Sequence, residues 1–222
     1  ASARTKSVGV LVPTIANSIF ADTVEGLSDI FEPRGFAVIL AQSGYDAARE
    51  ERMLAALLSR RPEAIIMVGA PATDASANLL RRARIPVVET WELPETPIDA
   101  AAGFDNHAVG IVVGRHFARI GRRRLAFVGG DDRRAMQRWE GFREATRAEG
   151  LDEPRRVLAA RSAGAVAGAT LLADVPDADA VFAANDTYAI ALLSALRRAG
   201  RLPDGSATAL PVAVVGLGDL EM

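Results

Sequence analysis

The chain alternates along its whole length between short apolar segments and longer amphipathic ones. The segments GFAVILA, EAIIMVG and RLAFVGG are apolar without alternation, which is typical of parallel strands that are covered on both faces. In the segments between them, apolar residues recur at helical spacing. Strands that alternate with helices are joined by right-handed crossovers, so this pattern predicts an α/β fold built from doubly wound parallel sheets.

The individual elements and a boundary follow from the same pattern. The predicted strands cover residues 8–12, 36–41, 64–68, 86–90, 101–104, 124–129, 155–159, 179–183 and 211–215. The predicted helices cover residues 20–33, 47–60, 74–83, 107–120, 134–149, 163–173 and 187–199. The longest segment without either pattern is TWELPETPIDAAAGFDNH, and a second series of strand–helix units begins at about residue 105. We therefore predict two similar lobes, residues 1–104 and 105–222, that are joined near residues 101–106.

Composition excludes several classes of protein. The chain has 222 residues, of which 50% are hydrophobic, and its net charge of −2 gives no reason to expect that this chain binds nucleic acid or a membrane surface. It has no cysteine, which excludes disulfides and thiol catalysis. His107 and His116 fall on one predicted helix, and no G-x-S-x-G or P-loop motif is present. We predict a protein that is not an enzyme and that uses no metal and no cofactor.

Polar residues follow six of the predicted strands at their carboxyl ends, which is where open α/β sheets bind ligands. These residues are Asn17–Ser18, Gln42–Ser43, Glu89–Trp91, Asp105–Asn106, Asn185–Asp186 and Gly218–Asp219. Each could instead be a helix cap. Asn185–Asp186 could cap its helix entirely, and the loop before Phe20 could be an N-cap with a hydrophobic staple. Because six such ends come from two lobes that face one crevice, together they predict a ligand cleft.

The chemistry of this predicted cleft suits a sugar. Trp91 and Phe20 offer flat apolar faces on which the C–H surface of a sugar can stack, while amides and carboxylates pair with its hydroxyls. Arg138, about one turn into the helix after Gly129–Gly130, is within reach of the same crevice.

Several motifs together resemble the lactose-repressor (LacI/GalR) family. They are SVGVLVPTIANSIFADTVEGL, RRPEAIIMVG, IPVVE, RRLAFVGG, RWEGF, AVFAANDTYAIALLSALRRAG and VAVVGLGDLEM, in the order and spacing of the effector-binding core of that family. The match covers essentially the whole chain. Within the family, VETWELPETPID followed by GF is most similar to the gluconate-operon repressors.

This resemblance implies a periplasmic-binding-protein type I-like fold and a cytoplasmic bacterial transcription factor. Such a protein has an N-terminal helix-turn-helix headpiece, a hinge and a two-lobed core that binds a small metabolite and forms a homodimer. It contacts operator DNA only through the headpiece, and it does not contact a membrane. The implied effector contacts are Ser18, Phe20, Trp91, Phe104, Asp105, Asn106, Arg138, Asn185 and Asp219. Two positions depart from the family pattern: Ile19 replaces the usual aromatic residue before Phe20, and Gly218 replaces the first acidic residue of the common GFDD.

Two functions remain open at this point. One is the regulatory core of a repressor, with ASARTKS as the sequence after the hinge helix and with the C-terminal return segment beyond Met222. The other is a periplasmic solute-binding protein for sugar transport, which has the same fold. For the ligand we expect a sugar acid such as gluconate, or its phosphorylated form, because the guanidinium of Arg138 suits a carboxylate or phosphate.

Overall fold

A computed structural model describes residues 5–158, 173–174, 176–201 and 212–218. The chain divides into two units, Ala1–Asp105 and Asn106–Met222, which we call the first and second units.

The first unit is built on a five-stranded parallel sheet in the order β2-β1-β3-β4-β5. Its strands are β1 (Ser7–Val12), β2 (Ala37–Gln42), β3 (Ala64–Val68), β4 (Val87–Thr90) and β5 (Ala100–Ala102). Its helices are α1 (Ser18–Phe31), α2 (Ala47–Ser59) and α3 (Asp74–Ala83), with a short 3-10 turn at Glu32–Arg34 after α1. The order reverses between β1 and β3, which places a topological switch point at the carboxyl end of β1.

The second unit repeats this arrangement. Its sheet has the order β7-β6-β8-β9, and every pairing is parallel. Its strands are β6 (Leu125–Gly129), β7 (Arg155–Leu158), β8 (Ala180–Ala183) and β9 (Ala213–Val215). Its helices are α4 (Asn106–Arg119), α5 (Arg133–Ala148) and α6 (Asp186–Arg198). The two parallel sheets confirm the predicted α/β fold class.

The boundaries of the predicted elements hold to within one or two residues at most ends. The predicted strand 101–104 is shorter than expected, since β5 ends at Ala102. The predicted helix 163–173 falls almost entirely on residues outside those that the structure describes.

The β2 strand corrects one expectation. Its apolar run GFAVILA predicted a strand covered on both faces, but β2 is an edge strand, and Ala37 and Leu40 are exposed. By contrast, β1 and β6 lie inside their sheets and are buried throughout. An apolar run therefore indicated a parallel strand correctly but did not distinguish an edge strand from a central one.

Two glycines set the packing of α4 against α5. A Cβ atom at Gly110 would collide with the carbonyl oxygen of Arg138 and would lie 2.6 Å from the Phe142 nitrogen. A Cβ atom at Gly141 would collide with the carbonyl oxygen of His107. The two helix backbones therefore touch at these glycines, and this contact fixes where Arg138 lies relative to the first turn of α4.

Candidate functional site

Three aromatic side chains meet at the carboxyl end of the first sheet. The Trp91 ring is perpendicular to the Phe20 ring at a centroid distance of 5.9 Å, and it stands at 78° to the Phe104 ring at the same distance. Phe20 is only 3% exposed and packs under β1, whereas Trp91 and Phe104 are partly exposed. From the sequence we predicted that the Phe20 ring is exposed for stacking. Because this ring is buried, it supports Trp91 instead.

The backbone at Trp91 is unusual. Its φ angle is +66°, in the left-handed region that bulky residues rarely adopt. The Trp91 amide donates to the Ala102 carbonyl at 3.2 Å, and the indole Nε1–H donates to the Thr23 hydroxyl at 3.1 Å. The first bond holds the backbone of Trp91, and the second holds its ring.

Buried carboxylates anchor the loop that follows Trp91. The Glu89 carboxylate accepts the Ile98 amide at 3.1 Å, and the Glu92 carboxylate accepts the Ala70 amide at 3.3 Å. A Cβ atom at Gly103 would lie 2.5 Å from the Glu92 nitrogen, so only glycine allows this close approach. The irregular segment TWELPETPID is therefore a well-anchored loop.

The start of α1 differs from the simple cap that the sequence left open. Asn17 occupies the N-cap position, but its side chain makes no capping hydrogen bond. The hydroxyl of Thr14 instead accepts the Ala16 amide at 3.1 Å, and the Gln42 side chain accepts the Ile15 amide at 3.1 Å. Ser18 is exposed as the first residue of the helix.

In the second unit the predicted Arg138 and Asn106 are brought together. Arg138 is 8% exposed; its Nε–H donates to the Asn106 side-chain oxygen at 2.8 Å, and its Nη1–H donates to the Ala184 carbonyl. Asn106 is itself buried at the start of α4. The guanidinium is thus held at the carboxyl end of β8 by groups of its own unit.

The other predicted residues have different settings. Asn185 caps α6, with its side-chain oxygen accepting the Tyr188 amide at 3.2 Å, which confirms the capping interpretation. Asp105 is exposed at the last position of the first unit. Gly218 follows β9, and Asp219 lies outside the described residues.

Sequence reasoning missed two side chains at these sites. Arg134 is buried on α5, one turn before Arg138. The spacing of four residues between these arginines in RRAMQRWEGF indicates that they share a helix face. The role of Thr23 could not be predicted from the sequence, since its partner Trp91 lies 68 positions away.

The described residues offer no centre for metal chemistry. Within them, no group of three or more histidine, cysteine, aspartate or glutamate side chains could hold a metal ion. His107 pairs with Glu144 at 3.2 Å, and His116 contacts Arg119 at 3.3 Å. None of the helices in the described ranges has the length and apolar character needed to cross a membrane.

Comparisons with known proteins match nearly the whole chain to one family. Residues 5–220 match the family described as periplasmic binding proteins and sugar binding domain of LacI family. The HTH-type transcriptional regulator GntR of Pseudomonas aeruginosa is 33% identical over 227 residues, which cover 99% of this chain and 64% of that protein. The chain therefore spans about 64% of the length of this relative.

Solved structures show the same fold. A LacI family transcriptional regulator from Silicibacter pomeroyi has a TM-score of 0.83 at 34% identity, covering 96% of this chain and 80% of that one. The transcription regulator GntR from Chromobacterium violaceum has a TM-score of 0.83 at 30% identity, covering 96% of this chain and 79% of that one. These likenesses confirm the predicted periplasmic-binding-protein-like architecture.

Proposed function

Because the chain belongs to the LacI family, whose sugar-binding domains share their fold with periplasmic binding proteins, we propose that it is the effector-binding and dimerisation core of a cytoplasmic bacterial transcriptional repressor. The relatives described above are regulators and not enzymes, which favours this function over sugar transport. In the full-length protein, an N-terminal headpiece contacts operator DNA.

The effector is a sugar acid such as gluconate or its phosphorylated form, bound between the two lobes. The contacts that we propose are Ser18, Trp91, Phe104, Asp105, Asn106, Arg138, Asn185 and Asp219, and the buried Phe20 acts through its contact with Trp91. The first unit supplies aromatic surface for the carbon skeleton. The second unit supplies hydrogen-bonding and charged groups.

The buried guanidinium of Arg138 carries the choice of an acid. Asn106 and the Ala184 carbonyl fix its orientation through Nε and Nη1, so little side-chain entropy remains to be lost on binding. A guanidinium presents its N–H donors in a planar fork that matches the two oxygens of a carboxylate or phosphate. Arg134, one turn away on α5, adds a second positive charge nearby.

Calorimetry with gluconate, 6-phosphogluconate and glucose tests this proposal. We expect an acid to bind better than glucose, and we expect Arg138→Ala to weaken acid binding about thirtyfold, the weight of a charged hydrogen bond. Arg143→Ala is the matched control, because Arg143 lies on the same helix and pairs with Glu140 on the surface. If glucose binds best, or if Arg138→Ala leaves acid binding intact, the acid effector is wrong.

Effector binding acts on DNA by hinge closure. A ligand shifts DNA affinity only as far as it prefers one arrangement of the lobes. Small-angle scattering with and without the effector should therefore show a change, and identical curves would contradict closure.

Residues 1–222 alone should not retard operator DNA at moderate salt, because their net charge is −2.

The homodimer contact that we propose uses the exposed side of α1 and β2. Ile30 on α1 is 53% exposed, and Leu40 on the edge strand β2 is 39% exposed, which is unusual for a parallel strand. A second copy covering this side would bury both and protect the strand edge. Leu40→Glu should shift sedimentation toward the monomer, whereas Ile120→Glu, similarly exposed in the second unit, should not.

A further inference from the structure

The Thr23 hydroxyl links the Trp91 ring to the backbone of α1. The indole Nε1–H donates to Thr23 Oγ1 at 3.1 Å, and Thr23 Oγ1 donates to the Ile19 carbonyl at 2.7 Å. An indole can only donate and a carbonyl can only accept. The hydroxyl must therefore accept from one group and donate to the other, which orients both hydrogen bonds.

The ring held in this way has a strained backbone. Trp91 has a φ angle of +66°, and its amide donates to the Ala102 carbonyl. Strained residues persist only where their surroundings over-determine them, and they concentrate at functional sites. Thr23 is one of these surroundings, since it contacts the one polar atom of the indole.

A threonine in a helix commonly bonds the carbonyl four residues earlier without any further role. Thr23 does so, but it also receives a hydrogen bond from a partly exposed tryptophan 68 positions away. The rings of Phe20 and Phe104 stand at steep angles to the indole, and the Thr23 hydroxyl accepts its Nε1–H, so three side chains restrain the ring. Together these contacts define which surface of the ring remains for a ligand.

We propose that Thr23 is a positioning residue for the effector: its hydroxyl fixes the Trp91 indole as the apolar wall against which the sugar carbons stack. This inference rests on the proposed function. Thr23 itself touches no ligand in this proposal and acts only through the orientation of Trp91.

The test compares Thr23→Val, which keeps the shape but removes the hydroxyl, with Thr23→Ser, which keeps the hydroxyl. Thr146→Val is the control, since Thr146 on α5 donates to the Arg143 carbonyl within its own helix. It is also remote in sequence from Trp91 and Phe20. Two quantities are measured for each variant: the indole N–H resonances in ¹H–¹⁵N NMR spectra and the affinity for gluconate. The chain has two tryptophans, so Trp139 serves as an internal reference resonance.

We expect Thr23→Val to move the Trp91 indole resonance, to leave that of Trp139 in place and to weaken gluconate binding about fivefold, the weight of one neutral hydrogen bond. Thr23→Ser should leave the Trp91 resonance and the gluconate affinity close to those of the parent chain. Thr146→Val should lower stability without changing affinity. An unmoved Trp91 resonance in Thr23→Val, or unchanged affinity beside a moved resonance, overturns the role of Thr23. If the parent chain binds neither gluconate nor 6-phosphogluconate, the sugar-acid proposal fails, and the effector role of Thr23 fails with it even if the resonance moves.

Discussion

The two sheets share the order of four strands, but the two units distribute their aromatic side chains differently. In the second unit, five aromatic rings fill the core beneath the helices: Phe117, Phe127, Trp139, Phe142 and Phe182. Of the two core clusters in the first unit, the one that includes α2 and α3 is aliphatic, with Leu54, Ile65 and Leu80 among its members, and the one that includes α1 buries the single aromatic ring of Phe20. There Trp91 and Phe104 lie instead at the carboxyl edge of the sheet and are partly exposed.

The asparagines at the strand ends that were predicted to bind a ligand also differ between the units. In the second unit, Asn185 caps a helix and Asn106 holds Arg138, so the polar groups are fixed by bonds within the unit. In the first unit, Asn17 occupies a cap position without a side-chain capping bond. In the function that we propose, the aromatic edge of the first unit suits the carbon skeleton of a sugar acid, and the guanidinium held in the second unit suits its acid group.

The largest effect should come from the aromatic contrast. Phe142→Ala should lower the free energy of unfolding by about 4 kcal/mol, because it leaves a cavity among Phe117, Phe127 and Phe182. Phe104→Ala, at a partly exposed position, should cost about 1 kcal/mol. Both losses in unfolding free energy are measured by urea unfolding, with hydrogen exchange as the probe of each unit. Equal losses would break the distinction between core and edge aromatics.

A smaller effect concerns the glycines. Gly141→Ala should destabilise the second unit by about 2 kcal/mol, because the added methyl group collides with the His107 carbonyl of α4. Gly26→Ala in α1, where a Cβ atom meets nothing within 4 Å, should instead stabilise the first unit by about 0.7 kcal/mol. Thermal unfolding midpoints give the two signs, and a stabilising Gly141→Ala would show that the helices can separate at no cost.

The smallest effect sharpens the contrast between caps. Asn185→Ala should cost about 1 kcal/mol through the lost bond to the Tyr188 amide. Asn17→Ala should change stability by less than about 0.5 kcal/mol, since its side chain makes no such bond. Chemical denaturation of both variants measures the difference. A large loss in Asn17→Ala would mean that the two helix starts are alike after all.

Much of the fold was predictable because it depends on local patterns. The apolar runs of β1, β3 and β6 located these strands to within one residue, since a strand covered on both faces has few polar positions. The same rule failed for the exposure of β2, because a run of apolar residues does not contain the strand order that makes β2 an edge.

The site was predictable only in part, for a similar reason. Arg138 and Asn106 could be named from the family motifs, but their hydrogen bond joins residues 32 positions apart and needed the α4–α5 contact. The capping role of Asn185 was open to prediction because its partner Tyr188 is three residues away. The burial of Phe20 and the left-handed backbone of Trp91 depend on tertiary contacts that no local window contains.

The glycine contact between α4 and α5 has a mechanical consequence. With backbone against backbone at Gly110 and Gly141, no flexible side chains lie between the helices there to absorb a displacement. The contact turn of α5 carries Arg138, and α4 begins at Asn106, the first residue after the boundary between the units. In the function that we propose, the guanidinium that binds the effector is therefore joined, through a contact of helix backbones, to the helix that begins at the boundary between the units.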